Sequence, residues 1–538
     1  MSSEQITTNT TSTTSRKYLF SEVTIQHVCG GSSNNSLQLL LPQQTLSSST
    51  CTLHSSPTID ACIPSHWVVS DRKKKSLLEF FLSSQQHENQ KDLPHVEGYY
   101  QFLEPDKFVD PWIGISHDKS IGDYFSMFKY IGNRPSIPSD EELPQLEPHY
   151  DLLFHPKPFQ HFVEHANITK TSNTTTATTA TTHENSSLKS STSLNEMDTH
   201  IDYSKKTYQI TWIGHSTFLI QYRGINILTD PVFAERCSPV SFFGPKRIKK
   251  IPVDDISKLP PIHFVCVSHN HYDHLCETSI RDIQKYHDPI ILLPYKCKYK
   301  WMQSGCLNQE KMNSKLYELD WWKDVTFKVS AKISNTTMTV ESEIRFVFLP
   351  AQHWGARNMT DRNEALWGSW GIEFNEIIPN GIIEQQVGKR VVKFWHAGDT
   401  GYNTQTFTEI GKRLGPIDLA LIPIGAYHPR SFLKDQHVDP EEAITIAQEV
   451  GAKKSIGMHW GTFMLTFEPV MEPKQLLEKG LIERKLPTDY FITMKHGETI
   501  VDDFDHTQNN ENCVPMVETN ETNALKTEQQ EKTITVQE

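Results

Sequence analysis

Between residues 206 and 502, short apolar runs rich in β-branched and aromatic residues follow one another closely: YQITWIG, TFLIQYR, INILTDP, IHFVCVS, IILLPY, VTFKVS, IRFVFLP, VVKFWHA, LALIPIG and KKSIGMHW. Each run is too short for an ordinary helix. Most lack the alternation of a half-solvated strand, so they read as strands covered on both faces. Gly224, between TFLIQYR and INILTDP, predicts a hairpin. In the second half, helices alternate with strands. In DPEEAITIAQEVGAKK, Asp439 is a good N-cap with Glu442 three residues on, and Pro440 takes the first helical position. Ala443, Ile444, Ala447 and Val450 form one apolar face, and Gly451 with Lys453 and Lys454 closes the helix. Strands with interspersed helices imply an α/β layered core, and roughly 300 residues suffice to build one.

The chain has 538 residues, only 37% of them hydrophobic, so one real core plus polar stretches is expected. Residues 1–95, rich in Ser, Thr, Gln and Asn, are expected to be mostly disordered. Residues 96–165 bring aromatics and prolines and read as an irregular segment packed on the core. Residues 166–205 are a Thr/Ser/Asn-rich insert and 505–538 a polar tail, both expected to be disordered, with the catalytic domain at 206–504. A net charge of −13 argues against a nucleic-acid partner. No apolar run approaches the roughly 18–20 residues of a membrane span, and the first residues lack a signal-type apolar region. Scattered cysteines without a CxxC pair suit a reducing compartment. The expectation is an intracellular, cytoplasmic protein.

The chemistry concentrates in His269-Asn270-His271-Tyr272-Asp273-His274, directly after the strand IHFVCVS. His269 and His271, two apart past a strand end, can take one metal ion, and Asp273 and His274 can take a second. Further ligands recur in the same setting. His353 follows IRFVFLP, Asp399 follows VVKFWHA, and His459 ends KKSIGMHW, each at the C-terminal end of a predicted strand, where open α/β sheets place their sites. His396 reads as a supporting or packed histidine, and His215 in TWIGHSTF as structural. Gln436 and Arg357 are candidate substrate contacts. Lys246, Arg247, Lys249 and Lys250 could meet anionic headgroups, and Trp112, Tyr124, Phe125, Phe128 and Tyr130 could dip into an interface.

The order His-x-His-x-Asp-His, His, Asp, His resembles the metallo-β-lactamase superfamily. TWIGHSTFLI, LTDPVFAERCSPVSFFGPKRIKKIP, VSHNHYDHL, LDWW, PAQHWGAR, LWGSWGI, HAGDTGY, IGKRLGPIDLALIPIGAYHPR, QHVDPEEA and HWGTF resemble one of its families closely, that of N-acyl-phosphatidylethanolamine-hydrolysing phospholipase D. The resemblance covers about two-thirds of the chain. It implies a metallo-β-lactamase-like αββα four-layer sandwich and two Zn²⁺ per chain. It carries His269, His271 and His353 to one ion, Asp273, His274 and His459 to the other, and Asp399 to the bridge between them. It carries substrate contacts to Tyr272 and His437. The implied reaction releases N-acylethanolamine and phosphatidic acid from a phospholipid at a membrane surface. The implied association with the membrane is peripheral, and a homodimer is compatible with it.

The charges agree with that reaction. Two Zn²⁺ against Asp273, Asp399 and a hydroxide between the ions leave one positive charge for a singly charged phosphodiester, which the hydroxide could attack in line at phosphorus. No Gly-x-Ser-x-Gly elbow argues for acyl-ester cleavage. The alternatives are another hydrolase on the same scaffold, a nuclease or a lactonase, and a metal-binding protein without turnover.

Overall fold

The structure is a computed structural model that describes residues 5–8, 20–28, 65–70, 106–109, 135–154, 207–298, 315–333, 339–376 and 391–503. In chain order the strands are Gln5–Thr8 (β1), Phe20–His27 (β2), Trp67–Val68 (β3), Lys107–Phe108 (β4), Thr207–Gly214 (β5), Thr217–Tyr222 (β6), Ile225–Thr229 (β7), Phe264–Cys266 (β8) and Ile290–Pro294 (β9). They continue as Leu316–Leu319 (β10), Asp324–Ile333 (β11), Thr339–Leu349 (β12), Ser369–Glu376 (β13), Val391–His396 (β14), Ile417–Pro423 (β15), Ala452–Met458 (β16), Phe491–Thr493 (β17) and Thr499–Asp503 (β18). The helices are Tyr150–Phe154 (α1), Glu277–His287 (α2), Thr404–Leu414 (α3), Arg430–Leu433 (α4), Pro440–Glu449 (α5) and Glu472–Glu483 (α6).

Two mixed sheets form the body. One runs β1-β2-β11-β12-β13-β14-β15-β16-β17, the other β10-β9-β8-β7-β6-β5-β18. In each, an antiparallel part built from neighbouring strands passes into a parallel part, β14 to β17 and β7 to β10. The parallel strands need crossovers. Among the described elements α2 lies between β8 and β9, α3 between β14 and β15, and α5 between β15 and β16. Strands β6, β7, β8, β9 and β15 are buried along their whole length, which is why their sequences are mostly apolar, and the polar exceptions Gln221, Asn226 and Asp418 are hydrogen-bonded. The predicted hairpin is β6–β7, closed by Arg223 and Gly224, both at positive φ as a two-residue turn requires.

Rings from the two sheets meet edge-on or tilted: Phe264 of β8 lies 5.3 Å from Phe327 of β11 and 4.8 Å from Phe346 of β12, and Tyr222 of β6 lies 4.9 Å from Phe374 of β13. Each such pair contributes about 0.5–1.5 kcal/mol beyond the area it buries. One continuous cluster of buried residues fills the space between the sheets. With helices outside both sheets, this is the αββα sandwich of the metallo-β-lactamase fold. Helix α5 forms as predicted: Asp439 and Glu442 make a reciprocal capping box, Ala443, Ile444, Ala447 and Val450 are buried, and Gly451 takes a positive φ.

Within residues 1–95, expected to be mostly disordered, Phe20–His27 pairs along β11 and buries Val23 and Ile25. That partner lies some 300 positions away, so no local pattern reports the pairing. The insert at 166–205, the tail at 505–538, and Trp112, Tyr124, Phe125, Phe128 and Tyr130 lie outside the described residues. No helix among the described residues is long and apolar enough to cross a membrane.

Candidate metal centre

Every predicted ligand stands just past a strand end, and all of them meet. His269 to His274 follow β8, His353 follows β12, Asp399 follows β14, and His459 follows β16. The backbone is forced locally: His459 adopts φ +63, His215 +56 and Asp230 +34. Such left-handed turns are costly for residues with a side chain and concentrate at functional sites. Gly398 also takes positive φ, and a Cβ there would lie 2.6 Å from the Gly368 carbonyl, so only glycine lets the chain bring Asp399 inward.

The side chains form two ligand sets. In the first, His269 Nε2 and His353 Nε2 approach His271 Nδ1 at 2.8 and 3.2 Å. His353 Nδ1 donates to the Gln436 carbonyl at 3.0 Å, so its Nε2 presents a lone pair to the group. In the second, Asp273 Oδ2 lies 3.5 Å from His274 Nε2 and 3.4 Å from His459 Nε2. Asp399 Oδ2 stands between the sets, 3.1 Å from His274 Nε2 and 3.0 Å from His459 Nε2 on one side, 3.9 Å from His269 Nε2 and 3.8 Å from His353 Nε2 on the other. Ligand atoms about 2.1 Å from a shared zinc at tetrahedral angles are separated by about 3.4 Å, the spacing seen here.

Two observations test whether these residues suit metal. His274 Nε2, His459 Nε2 and Asp399 Oδ1 are buried without a hydrogen-bond partner, a costly arrangement for polar atoms unless a cation satisfies them. The electrostatics point the same way. Burial holds His269 and His353 far below the usual imidazole range and His271 at about 4, so all three are neutral donors of lone pairs. Burial opposes charge on His274 and His459 too, but there Asp399 and Asp273 outweigh it, lifting His459 to about 9 and His274 well above 6.5. Burial likewise pushes Asp273 and Asp399 up, yet the neighbouring imidazoles, His274 foremost, keep both carboxylates ionised. Two carboxylates with five imidazoles in a buried pocket suit divalent metal.

Around the ligands stands a supporting shell, part of which sequence reasoning missed. Asp230, at the end of β7, accepts from His274 Nδ1 at 2.7 Å and from Ser268 N and Oγ, both at 2.7 Å. This carboxylate fixes the tautomer that leaves His274 Nε2 free for metal. Its available signal was position: LTDP ends a strand as the ligand motifs do. His396 Nε2 donates to the Ser216 carbonyl at 3.3 Å and lies 3.6 Å from Asp230 Oδ2, so it packs beside the same carboxylate. His215 Nε2 donates to Asp273 Oδ2 at 3.0 Å, and the ring lies 4.0 Å from that of His459, which puts this expected structural residue at the second ligand set itself.

The predicted substrate contacts divide. His437 Nδ1 is buried, without a partner, 3.9 Å from Asp399 Oδ2, at the heart of the site. Tyr272 is half-buried at its edge, with its hydroxyl donating to the Arg357 carbonyl at 3.0 Å. Arg357 serves differently from expectation. Its guanidinium donates to the Asn270 and Leu275 carbonyls and to Glu277, and covers the Tyr272 ring, so it clamps the metal-binding loop. Gln436 is buried, its backbone orienting His353 and its side chain accepting from Trp354 Nε1 at 3.1 Å. Within the basic cluster Arg247 is buried and donates to the Ala234 and Val232 carbonyls, so it does not face headgroups, and Lys249 pairs with Asp140.

Comparison with known proteins agrees with this site. The model of the beta-lactamase superfamily domain matches residues 225–460. The N-acyl-phosphatidylethanolamine-hydrolyzing phospholipase D 1 of Caenorhabditis elegans is 38% identical over 291 residues, which span 54% of this chain and 74% of the worm protein. The chain belongs to the N-acyl-phosphatidylethanolamine-hydrolysing phospholipase D family. The mitochondrial member from Saccharomyces cerevisiae is 34% identical over 269 residues, half of each chain. Among solved structures, a metallo hydrolase from the archaeon Ignicoccus hospitalis matches 55% of this chain at 20% identity, with a TM-score of 0.35. As a member of this family the chain is a metallo-hydrolase, and the cluster of seven side chains is the place where its metal would be held.

Proposed function

We propose that this protein is a zinc-dependent phospholipase D that hydrolyses N-acyl-phosphatidylethanolamine to N-acylethanolamine and phosphatidic acid. The observation that carries the reading is the position of Asp399 Oδ2 between two complete ligand sets, which suits a pair of ions and not one. Two zinc ions, one at His269, His271 and His353 and the other at Asp273, His274 and His459, would supply Lewis-acid polarisation of the phosphodiester and an acidified water. The chain supplies the rest. Asp230 and the Gln436 carbonyl hold His274 and His353 in the tautomers that face inward. His215 holds the carboxylate of Asp273. His437 precedes Asp439, the N-cap of α5, so its unpartnered ring Nδ1 beside Asp399 and the positive end of that helix lie on the side where a phosphate anion would sit. The phospholipid substrate implies peripheral association with a membrane surface.

The test is direct. Incubation with N-acyl-phosphatidylethanolamine in ¹⁸O-water should give N-acylethanolamine and phosphatidic acid by mass, with the label in phosphatidic acid alone. His271→Ala and Asp399→Asn should abolish both products. Full turnover by either variant, or label in the acylethanolamine, would refute the reading. Cleavage of RNA instead of lipid would favour a nuclease.

A further inference from the structure

Of the five imidazoles at the centre, three have an oxygen beside the nitrogen that faces away from it. His269 Nδ1 lies 2.9 Å from Ser268 Oγ, His274 Nδ1 lies 2.7 Å from Asp230 Oδ2, and His353 Nδ1 lies 3.0 Å from the Gln436 carbonyl. Each of these rings turns Nε2 inward. His459 also turns Nε2 inward, with its ring against that of His215. His271 is reversed. It offers Nδ1 to the first ligand set, 2.8 Å from His269 Nε2, and its Nε2 is buried without a hydrogen-bond partner. A neutral imidazole whose Nδ1 gives a lone pair carries its proton on Nε2. A buried N–H at that place calls for an acceptor.

Trp354 is the group that meets it. Its ring lies 4.3 Å from that of His271, at an interplanar angle of 70°. That is closer than the roughly 4.5–7 Å of ordinary aromatic pairs. The short edge of an imidazole can come so near an indole face. The longer edge of an indole, turned on an imidazole, would stand farther off. Nδ1 faces the ligand set, so the free edge of His271 is the one that bears Nε2. An N–H aimed at a π face makes a weak hydrogen bond.

The indole is held independently of His271. It follows His353 in the chain, and its Nε1 donates at 3.1 Å to Oε1 of Gln436, the residue whose carbonyl orients His353. The Arg362 guanidinium carbon stands 4.0 Å over the ring, a cation–π contact that fixes its plane. Arg362 is delivered by a closed loop. Asn363 N donates to the Gly355 carbonyl at 2.7 Å, and the Asp361 carboxylate accepts from Arg357 N at 3.0 Å and Asn358 N at 2.9 Å.

We propose that Trp354 is the positioning residue of His271: its indole face receives the Nε2–H and so turns the Nδ1 lone pair into the first ligand set, as Asp230 and the Gln436 carbonyl do for His274 and His353. The assignment shares the metal centre with the function proposed above and does not depend on the lipid substrate.

The experiment uses the full chain, stripped of metal and reloaded with zinc alone. With histidine ¹⁵N-labelled, one imidazole N–H proton should resonate far upfield of the others, shielded by the indole. It should vanish in His271→Gln and return to the ordinary region in Trp354→Leu. In competition with a fluorescent chelator, Trp354→Leu should bind one zinc ion about tenfold more weakly and leave the other unchanged. Trp354→Phe, which offers a π face but no bond to Gln436, should recover most of that loss, whereas a side chain that only filled space would be replaced as well by leucine. No shielded N–H in the wild type, wild-type affinity in Trp354→Leu, or equal losses in the leucine and phenylalanine variants would overturn the assignment. A shielded N–H with the ordered zinc affinities, but without phosphatidic acid release, would instead overturn the proposed function and leave Trp354 in its role.

Discussion

Asp230 has no solvent exposure and no direct place among the ligands, yet four of its contacts organise them. With Asp230→Asn, the amide can still accept from His274 but no longer opposes its charge, and its NH₂ meets donors already committed to the carboxylate. Metal affinity should drop about 10–100-fold with the fold intact, as competition with a fluorescent chelator would show. Unchanged affinity would remove Asp230 from the site. The side chains that converge on the site were legible because each closes an apolar run with a residue of a kind that can bind metal. Asp230 was not, since a residue that acts through a neighbour leaves no spacing of its own. Arg357 shows the converse: a cation near the motif suggests substrate, and only coordinates reveal that backbone carbonyls occupy it. A separate residue sets an acid limit on stability. His263 is fully buried, its Nδ1 accepting from Asn226 N at 2.9 Å, and burial holds it at about 3. Unfolded, it titrates near 6.5, so between these values the unfolded chain binds a proton that the native one refuses. Stability should therefore fall as pH drops from 6.5 toward 3, by up to about 1.4 kcal/mol per pH unit from this group. Urea midpoints from pH 7 to pH 4 should fall less steeply in His263→Gln, and parallel curves would show that other groups set the slope.

At the scale of elements, the loop from Asn270 to Glu277 has little regular structure to hold it, and Arg357 supplies what is missing through bonds to two carbonyls and one carboxylate. Arg357→Met preserves much of the stem and removes all three. The expected cost is about 2–3 kcal/mol in denaturant unfolding, together with weaker metal retention, because the loop carries three of the candidate ligands, His271, Asp273 and His274. Loss of stability without loss of metal would mean that the loop holds its shape unaided. Helix α5 offers a smaller effect: Asp439→Ala opens the capping box and should cost about 1 kcal/mol. This helix and the β6–β7 hairpin could be read from sequence because their signals lie within a few residues of each other. Strand β2 could not, because its polar composition says disorder and its pairing with β11 is decided only after the rest of the sheet exists.

At the scale of the whole molecule, the metal centre joins the two sheets. His269, His271, Asp273 and His274 hang from β8 of the seven-stranded sheet, while His353, Asp399 and His459 hang from β12, β14 and β16 of the nine-stranded one. Bound metal would therefore add a tie between strand ends that already meet through backbone bonds, from Gly368 N to the Ser268 carbonyl and from His459 N to the His215 carbonyl, and it would replace the protons that His274 and His459 carry beside Asp273 and Asp399. Anything that binds the native state alone stabilises it, by about 4 kcal/mol when free ligand exceeds its dissociation constant a thousandfold. For a domain of this size that corresponds to a melting shift on the order of 10 °C. Stripping the metal with a chelator should lower the melting temperature by this order, and zinc should restore it. Asp399→Asn should shrink the shift, because its oxygen is shared by both ligand sets. A melting temperature indifferent to chelation in the wild type, with elemental analysis confirming that metal had been present and removed, would mean that the sheets hold their ends in register without an ion between them.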